Sequence, residues 1–383
     1  MKIAYRSGAV ISAAALTFAL AACSPSNETS SESESPAADS STSTSTDAGT
    51  ETAALSGNLQ GAGASSQESA MDAWRAGFQE ANPDVTVGYD PVGSGGGIEQ
   101  FLSGAVPFAG SDGLLEGEEY TQAQEVCGDG GAYHLPMYIS PVAVIFNIEG
   151  LTSLNLDAET IAKIFDGVIT SWDDPAIADQ NPDAELPSET ITVVHRSDSS
   201  GTSENFTDYL EQAGNGAWGY EASKEFPETS AQRVGADGTS AVVDNVTNTP
   251  NAIGYADASR AGSLGTVAIK VGEEYVPFSP EAAANIVAAS PLSEEANGEN
   301  DLAYAIDRTT TDSSAYPLTL VSYHIVCSSY EDEATRDLVV GFEKYVASDE
   351  GQDTAASAAG SAPLTDELQS QIDSILDGIA AGA

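Results

Sequence analysis

Cations are scarce in this 383-residue chain: 12 Lys and Arg stand against 59 Asp and Glu, a formal net charge of −47. A surface that binds nucleic acid or anionic lipid needs a local cation for each phosphate it contacts, so this composition argues against both kinds of partner. Cysteine and histidine are nearly as rare, at three each. His134, His195 and His324 are scattered without ligand spacing, which leaves no zinc motif. After the first two dozen residues no apolar run approaches the roughly 18 needed for a membrane-spanning helix. What is present is a 41% hydrophobic fraction with 36 glycines, ample for packed cores. At about 100 to 200 residues per domain the length suggests two domains, and whole-chain disorder is excluded.

The N-terminus carries Lys2 and Arg6, then a short apolar run through Ala14, Leu16, Phe18 and Leu20 that closes on Ala21 and Ala22. This is the layout of an export signal, assigned to residues 1–22, and it places the mature chain outside the cytoplasm. Leu20, Ala21, Ala22 and Cys23 resemble the bacterial lipobox, which implies a lipidated Cys23 and attachment to the outer face of the cell membrane. Residues 23–54 are nearly all Ser, Thr, Glu, Asp and Ala, a composition that cannot offset its ordering entropy and reads as a tether. Beyond the tether 53 acidic and 10 basic residues remain, a net of −43. With Cys23 acylated, Cys127 and Cys327 are left; in an oxidising compartment they read first as one structural disulfide, with two buried free thiols as the other reading.

From Leu55 onward β-type runs alternate with helical stripes, the pattern of an α/β chain. Strands are expected at Val85–Tyr89, Val142–Asn147, Ile191–His195, Val267–Val271 and Leu318–Val326. Helices are expected around Met71, Trp74 and Phe78, around Ile161, Ile164 and Phe165, around Phe206, Tyr209 and Leu210, and from Asp366 through Leu368, Ile372 and Ile375 to Ile379.

Three Gly- and Ser-rich turns each precede a helical stripe: Gly61 to Ser66, Gly93 to Gly97, and Ser199 to Ser203. In the first, Ser65 and Glu68 have capping-box spacing. A helix start offers free N–H groups and the positive dipole end, glycine admits an anion to the backbone, and Ser or Thr adds a hydroxyl. Most such starts merely cap their own helix, but three of them beside Arg196 point to one shared anion. The guanidinium fork suits bidentate contact with an oxyanion, with Asp198 as its neighbouring partner. Asp112, after Phe108, Ala109, Gly110 and Ser111, falls at a strand tip, where an acid ordinarily faces solvent or caps a backbone N–H.

Taken together, Gly61 to Ser65, Gly93-Ser94-Gly95-Gly96, Phe108 to Asp112, and above all Arg196, Asp198, Ser200, Gly201 and Thr202 resemble the phosphate-binding protein of the bacterial high-affinity phosphate ABC importer. Trp172 to Ile177 and Ala252 to Tyr255 are similar to further stretches of that family, and the likeness runs over nearly the whole chain from Leu55. The resemblance implies a two-lobed periplasmic-binding-protein fold of type II, with lobe 1 at 55–139 plus 318–383 and lobe 2 at 140–317. Cys127 and Cys327 then share a lobe, consistent with a disulfide.

The same resemblance implies phosphate contacts from Ser65, Ser66, Ser94, Asp112, Arg196, Ser200, Gly201 and Thr202, with Asp198 supporting Arg196. It also gives Asp112 a role, since phosphate near neutral pH carries a proton that a carboxylate can accept, whereas sulfate carries none. The implied partners are inorganic phosphate, membrane permease subunits of the importer and, through Cys23, the membrane itself, with no nucleic acid, cofactor or metal and no catalysis. Two departures from the family pattern stand out: Ser66 where an aromatic is common, and Gly95 where a second serine can occur. Competing readings are a receptor for another oxyanion such as sulfate or molybdate, a phosphate-sensing lipoprotein, and a secreted phosphatase-like hydrolase on the same fold. Against the last, Ser200 has no Gly-x-Ser-x-Gly elbow and no His placed as its base.

Overall fold

The computed structural model describes residues 54–381; the export signal, Cys23 and the tether up to residue 53 lie outside the described residues. The chain runs through β1 (Gly57–Gly63), α1 (Glu68–Ala81), β2 (Val85–Asp90), α2 (Ser94–Leu102), β3 (Phe108–Ser111), α3 (Glu118–Cys127) and β4 (Ala132–Phe146). It continues with β5 (Ser153–Leu156), α4 (Ala158–Asp166), α5 (Pro175–Ala178), β6 (Thr192–Arg196), α6 (Gly201–Ala213), β7 (Arg233–Ala236), α7 (Gly238–Asn248) and β8 (Ala252–Asp257). A 3-10 turn at Ala258–Arg260 leads into β9 (Gly265–Val271), β10 (Glu274–Val276), α8 (Pro280–Ala289) and β11 (Thr319–Cys327). Finally come β12 (Ser329–Tyr330), α9 (Glu333–Ala347), α10 (Asp349–Ala359), α11 (Asp366–Asp377) and β13 (Ala380–Ala381).

The expected α/β class holds, and its strands join in the order β2-β1-β3-β11-β4-β8-β6-β7. β1 is parallel to β2 and β3, and β6 is parallel to β7 and β8, so each end of this sheet is a parallel strand set with helices following the strands. The antiparallel strands β4 and β11 join the two sets. β4 changes partner along its length: residues 132–141 pair with β11, and residues 142–146 pair with β8. The sequence led us to expect only the second half of β4 as a strand. Pro136 and Pro141 hide the first half, because proline has no ladder donor; Pro136 faces Tyr323 where the register shifts between Ser322 and Tyr323.

The apolar stripes bury as expected. Met71, Trp74 and Phe78 are the buried face of α1, Phe206, Tyr209 and Leu210 lie buried in α6, and Leu368, Ile372, Ile375 and Leu376 in α11. Two aromatic packings bear on the site. Trp74 meets buried His324 edge-on at 5.7 Å, and the His324 ring bonds Gln67 at 3.0 Å at the start of α1. On the other side Phe206 stacks on Tyr255 at 4.3 Å, and the Tyr255 hydroxyl accepts the Arg196 N–H at 3.2 Å while pairing with Ser203 Oγ at 2.6 Å. The cores thus fix where α1 and α6 begin. Among the described residues no helix is long and apolar enough to cross a membrane.

Cys127, at the end of α3, and Cys327, at the end of β11, form a disulfide across 200 residues of sequence. Closing so long a loop removes unfolded-state freedom, worth roughly 3 kcal/mol or more in the loop-closure model. We expect the Cys127→Ser/Cys327→Ser double variant to lose about 6–10 °C of thermal midpoint in calorimetry. An unchanged midpoint would show that the bond does not constrain the unfolded chain.

Candidate anion site

Every element of the site leaves the carboxyl end of a parallel strand, the edge at which open α/β sheets place their ligands. β1 ends at Gly63 and delivers Ser65 and Ser66 before α1; β2 delivers Gly93 and Ser94 at the start of α2; β3 delivers Asp112; β6 delivers Arg196 and, at the start of α6, Ser200 to Thr202. The three glycine and serine turns are therefore helix starts, and the fold turns all three toward one locus. Gly93 caps α2 with φ +87°, and a Cβ there would meet Asp198 Oδ2 at 2.6 Å. A Cβ on Gly201 would meet Ser94 Oγ at 2.7 Å and Asp112 Cβ at 2.8 Å, so glycine lets the start of α6 close onto the β3 loop. A Cβ on Gly95 would meet Ser199 Oγ at 2.2 Å, which accounts for glycine where the family can carry serine.

The side chains interlock. Ser66 Oγ donates to Asp112 Oδ1 at 2.6 Å, and Thr202 Oγ1 donates to Asp112 Oδ2 at 2.8 Å. Ser94 Oγ accepts the Asp112 N–H at 3.1 Å. Arg196, only 2% exposed, grips Asp198 with both arms of its fork: Nε donates to Oδ1 at 2.6 Å and Nη2 pairs with Oδ2. Two of five guanidinium N–H groups are thereby used, and three are left for a ligand. The Gly238 N–H, first in α7, also donates to Asp198 Oδ1 at 3.1 Å.

These contacts set the charge states. Burial raises the Asp112 carboxyl above its usual range, opposed by the Ser66 and Thr202 hydroxyls and the Arg196 charge. Burial acts the same way on Asp198, but there the Arg196 hydrogen bond and charge, with the Gly238 N–H, outweigh it and hold the carboxyl below its usual range. Arg196 and Asp198 thus form a neutral pair beside a second, buried acid.

All eight candidate contact residues come together, yet not all offer free hydroxyls. Ser66 and Thr202 spend their hydroxyl protons on Asp112, whereas Ser200 caps its own helix by accepting the Ser203 N–H at 3.2 Å and keeps its proton. The capping box expected from Ser65 and Glu68 does not form: the N-cap of α1 is Gln67, with no side-chain cap. Ser65 Oγ instead accepts the Thr239 N–H at 3.0 Å and pairs with Thr239 Oγ1 at 3.1 Å. Glu68 accepts from Arg260 at 2.9 Å and from Ser240 at 3.1 Å. Both side chains reach across to α7 and the 3-10 turn, partners more than 170 residues away that local spacing could not disclose. At the opposite margin Lys224 Nζ donates to the Leu114 carbonyl at 3.2 Å and pairs with Glu116, while Glu204 lies at 3.7 Å. Burial pushes the Glu204 carboxyl up to about 7 despite the pull of Lys224. Thr239, Asn205, Arg260 and Lys224 carried no motif in the sequence; the scarcity of cations was the one available signal for the last two.

Comparison with known proteins gives the family. A family model described as a PBP superfamily domain matches residues 41–350. Phosphate-binding protein PstS 3 of Mycobacterium tuberculosis (strain ATCC 25618 / H37Rv) is 36% identical over 330 residues, covering 84% of this chain and 86% of that protein. Phosphate-binding protein PstS 2 of the same strain is 34% identical over 394 residues, covering 99% of this chain and 100% of its own length. A phosphate-bound high-affinity periplasmic phosphate-binding protein, PfluDING, superposes with TM-score 0.66 at 21% identity over 85% of this chain and 99% of that one. The phosphate-binding protein from Stenotrophomonas maltophilia gives 0.65 at 22% identity over 83% and 93%. At those identities the two structures speak for the two-lobed fold, while the mycobacterial relatives and the family model speak for descent. The chain belongs to the PstS phosphate-binding proteins of the PBP superfamily.

Proposed function

We propose that the chain is an extracytoplasmic receptor that captures one inorganic phosphate between two lobes and hands it to a membrane permease of an ABC importer. The observation that carries this reading is the buried Asp112, held by Ser66 and Thr202 at the mouth of three helix starts and beside the neutral Arg196–Asp198 pair. Such a pocket presents N–H and hydroxyl donors, three free guanidinium N–H groups and one acceptor. Hydrogenphosphate, with several acceptor oxygens and at least one proton, matches that inventory. In this reading Ser65, Ser66, Ser94, Arg196, Ser200, Gly201 and Thr202 contact phosphate oxygens through hydroxyls or backbone N–H groups, and Asp112 accepts the phosphate proton. Ser66 and Thr202, whose hydroxyl protons hold Asp112, serve through the backbone N–H, while the Ser94 and Ser200 hydroxyls, which accept within the protein, keep a proton to donate.

The lobes are residues 55–139 with 318–383, and 140–317; the change of partner along β4 at residues 141 and 142 supports that division. Cys23 carries the lipid anchor at the head of the 23–54 tether, and the closed form docks on the permease. The role is binding rather than catalysis, a reading supported by relatives that are phosphate-binding proteins. Equilibrium dialysis of ligand-stripped protein against labelled phosphate tests the reading. One phosphate retained per chain is expected, and no saturable uptake would refute it.

A further inference from the structure

Asn205 is 8% exposed and lies in α6 one turn beyond Gly201. Its Nδ2 donates to two carbonyls, Gly201 O at 2.9 Å and Asp112 O at 2.7 Å. The first bond stays within the helix; the second leaves it and reaches the loop after β3, on the other side of the sheet. The side-chain oxygen accepts from Arg308 Nη2 at 2.6 Å. Because a guanidinium can only donate, Arg308 fixes which way the amide faces, and both Nδ2 protons are turned onto carbonyls.

Arg308 is itself anchored, at 3% exposed. Nε donates to Asp208 Oδ2 at 2.8 Å on α6, and Nη1 donates to the carbonyls of Pro317 at 2.9 Å and Thr319 at 2.7 Å, where the chain enters β11. One guanidinium thus joins α6, the entry to a sheet-joining strand and the Asn205 amide. Asn205 has no group left for an anion, since it spends both protons and its oxygen on protein, and Arg308 commits four of its five N–H groups to α6 and the entry to β11.

We infer that Asn205, oriented by Arg308, is a positioning residue that locks the Asp112 loop against the start of α6 when the cleft is closed, and so slows release of the bound anion. This rests on the phosphate-receptor reading above. The Asn205–Asp112 bond spans elements that must part for an anion to leave, whereas the Arg308 bonds go to Asp208 and Pro317 within lobe 2 and to Thr319 where the chain crosses between the lobes. Of the bonds made by Asn205 and Arg308, opening therefore breaks the one to the Asp112 carbonyl, together with the Thr202–Asp112 and Ser65–Thr239 bonds between the same lobes, and leaves its donor waiting in place.

The test is Asn205→Asp, which keeps shape and still accepts from Arg308 but turns a carboxylate oxygen toward two carbonyls. Stopped-flow and competition with inorganic phosphate should show dissociation faster by about 10- to 30-fold with association changed less than about threefold. The thermal midpoint of the ligand-free protein should hold, while that of the phosphate-saturated protein falls. Arg308→Lys, which keeps the charge and loses the fork, should move dissociation in the same direction. A residue that merely supports the fold would lower the ligand-free midpoint and leave dissociation unchanged, and that outcome overturns the inference. If the unaltered protein takes up no phosphate, the receptor reading itself fails; if it does and Asn205→Asp releases phosphate at the unaltered rate, only the lock fails.

Discussion

Arg196→Ala is expected to weaken phosphate binding by about three orders of magnitude, roughly 4 kcal/mol. The loss has two parts. Three N–H groups that can meet an oxyanion disappear, and Asp198, which Arg196 neutralises at 2.6 Å, is left as an unpaired carboxylate beside an anion. The Asp198 carboxyl would then rise from below its usual range, because burial, the largest influence on it, would act with only the backbone N–H groups of Gly238 and Asp198 itself in opposition. Arg196→Lys keeps a charge but not the fork that holds Asp198 with two atoms, so a loss of about 10- to 100-fold is expected. The double variant Arg196→Ala/Asp198→Asn should bind better than Arg196→Ala alone, since the stranded charge is gone. Calorimetric titration decides the matter, and an Arg196→Ala protein of unchanged affinity would remove Arg196 from the site.

Asp112→Asn should leave phosphate affinity within several-fold while raising affinity for sulfate by about 100-fold. A buried carboxylate facing a proton-less sulfate oxygen is an unrelieved clash, and exchanging one oxygen for an NH₂ turns that clash into a hydrogen bond. Phosphate loses little, because the remaining amide oxygen still accepts its proton, and the Ser66 and Thr202 hydroxyls can turn to suit. Acid should mimic the substitution. The Asp112 carboxyl is raised above its usual range by burial, so lowering the pH protonates it sooner than an exposed acid and relaxes sulfate rejection in the unaltered protein. The sign for stability follows from the same shift. A folded-state value above the unfolded one means that Asp112 contributes fully below the ordinary carboxylate range, and the contribution is lost as pH rises through its folded value. Holding Asp112 ionised therefore carries a cost, which a hydrogen bond from the phosphate proton relieves on binding. Sulfate rejection that is equally strict in Asp112→Asn would contradict this role.

The parts of the molecule written in contiguous residues were legible. The stripes of α1, α4, α6 and α11 repeat at helical spacing, and the three Gly- and Ser-rich turns announce helix starts whose backbone can face an anion. Asp112 was visible as a strand-tip acid, though its role came from family likeness rather than from pattern. What local reading missed depends on distance along the chain. β1, Gly-Asn-Leu-Gln-Gly-Ala-Gly, has no β-branched residue and is a strand because β2 and β3 flank it on both sides. Ser65 and Glu68 have the spacing of a capping box, yet Thr239 and Arg260 draw both side chains across the cleft. Asn205 looked like one more polar helix residue, and only the fold brings it to Asp112, 93 residues back, and to Arg308, 103 residues on.

The net charge of −43 beyond the tether works against an anion receptor, and the site resolves this by range. Mobile ions screen distant surface charge over about 8–10 Å at physiological salt, whereas donors at hydrogen-bond distance in a dry pocket keep their strength. The unscreened field should slow capture at low salt without setting the final affinity.

Calorimetric titration of ligand-stripped protein, first with phosphate and then with sulfate, at several salt concentrations, tests the central claim most directly. The account expects one tight phosphate site, silence toward sulfate, and an affinity that barely moves with salt. Equal heats from the two anions, or an affinity governed by salt, would contradict a closed, hydrogen-bonded cleft in which Asp112 selects for the protonated anion.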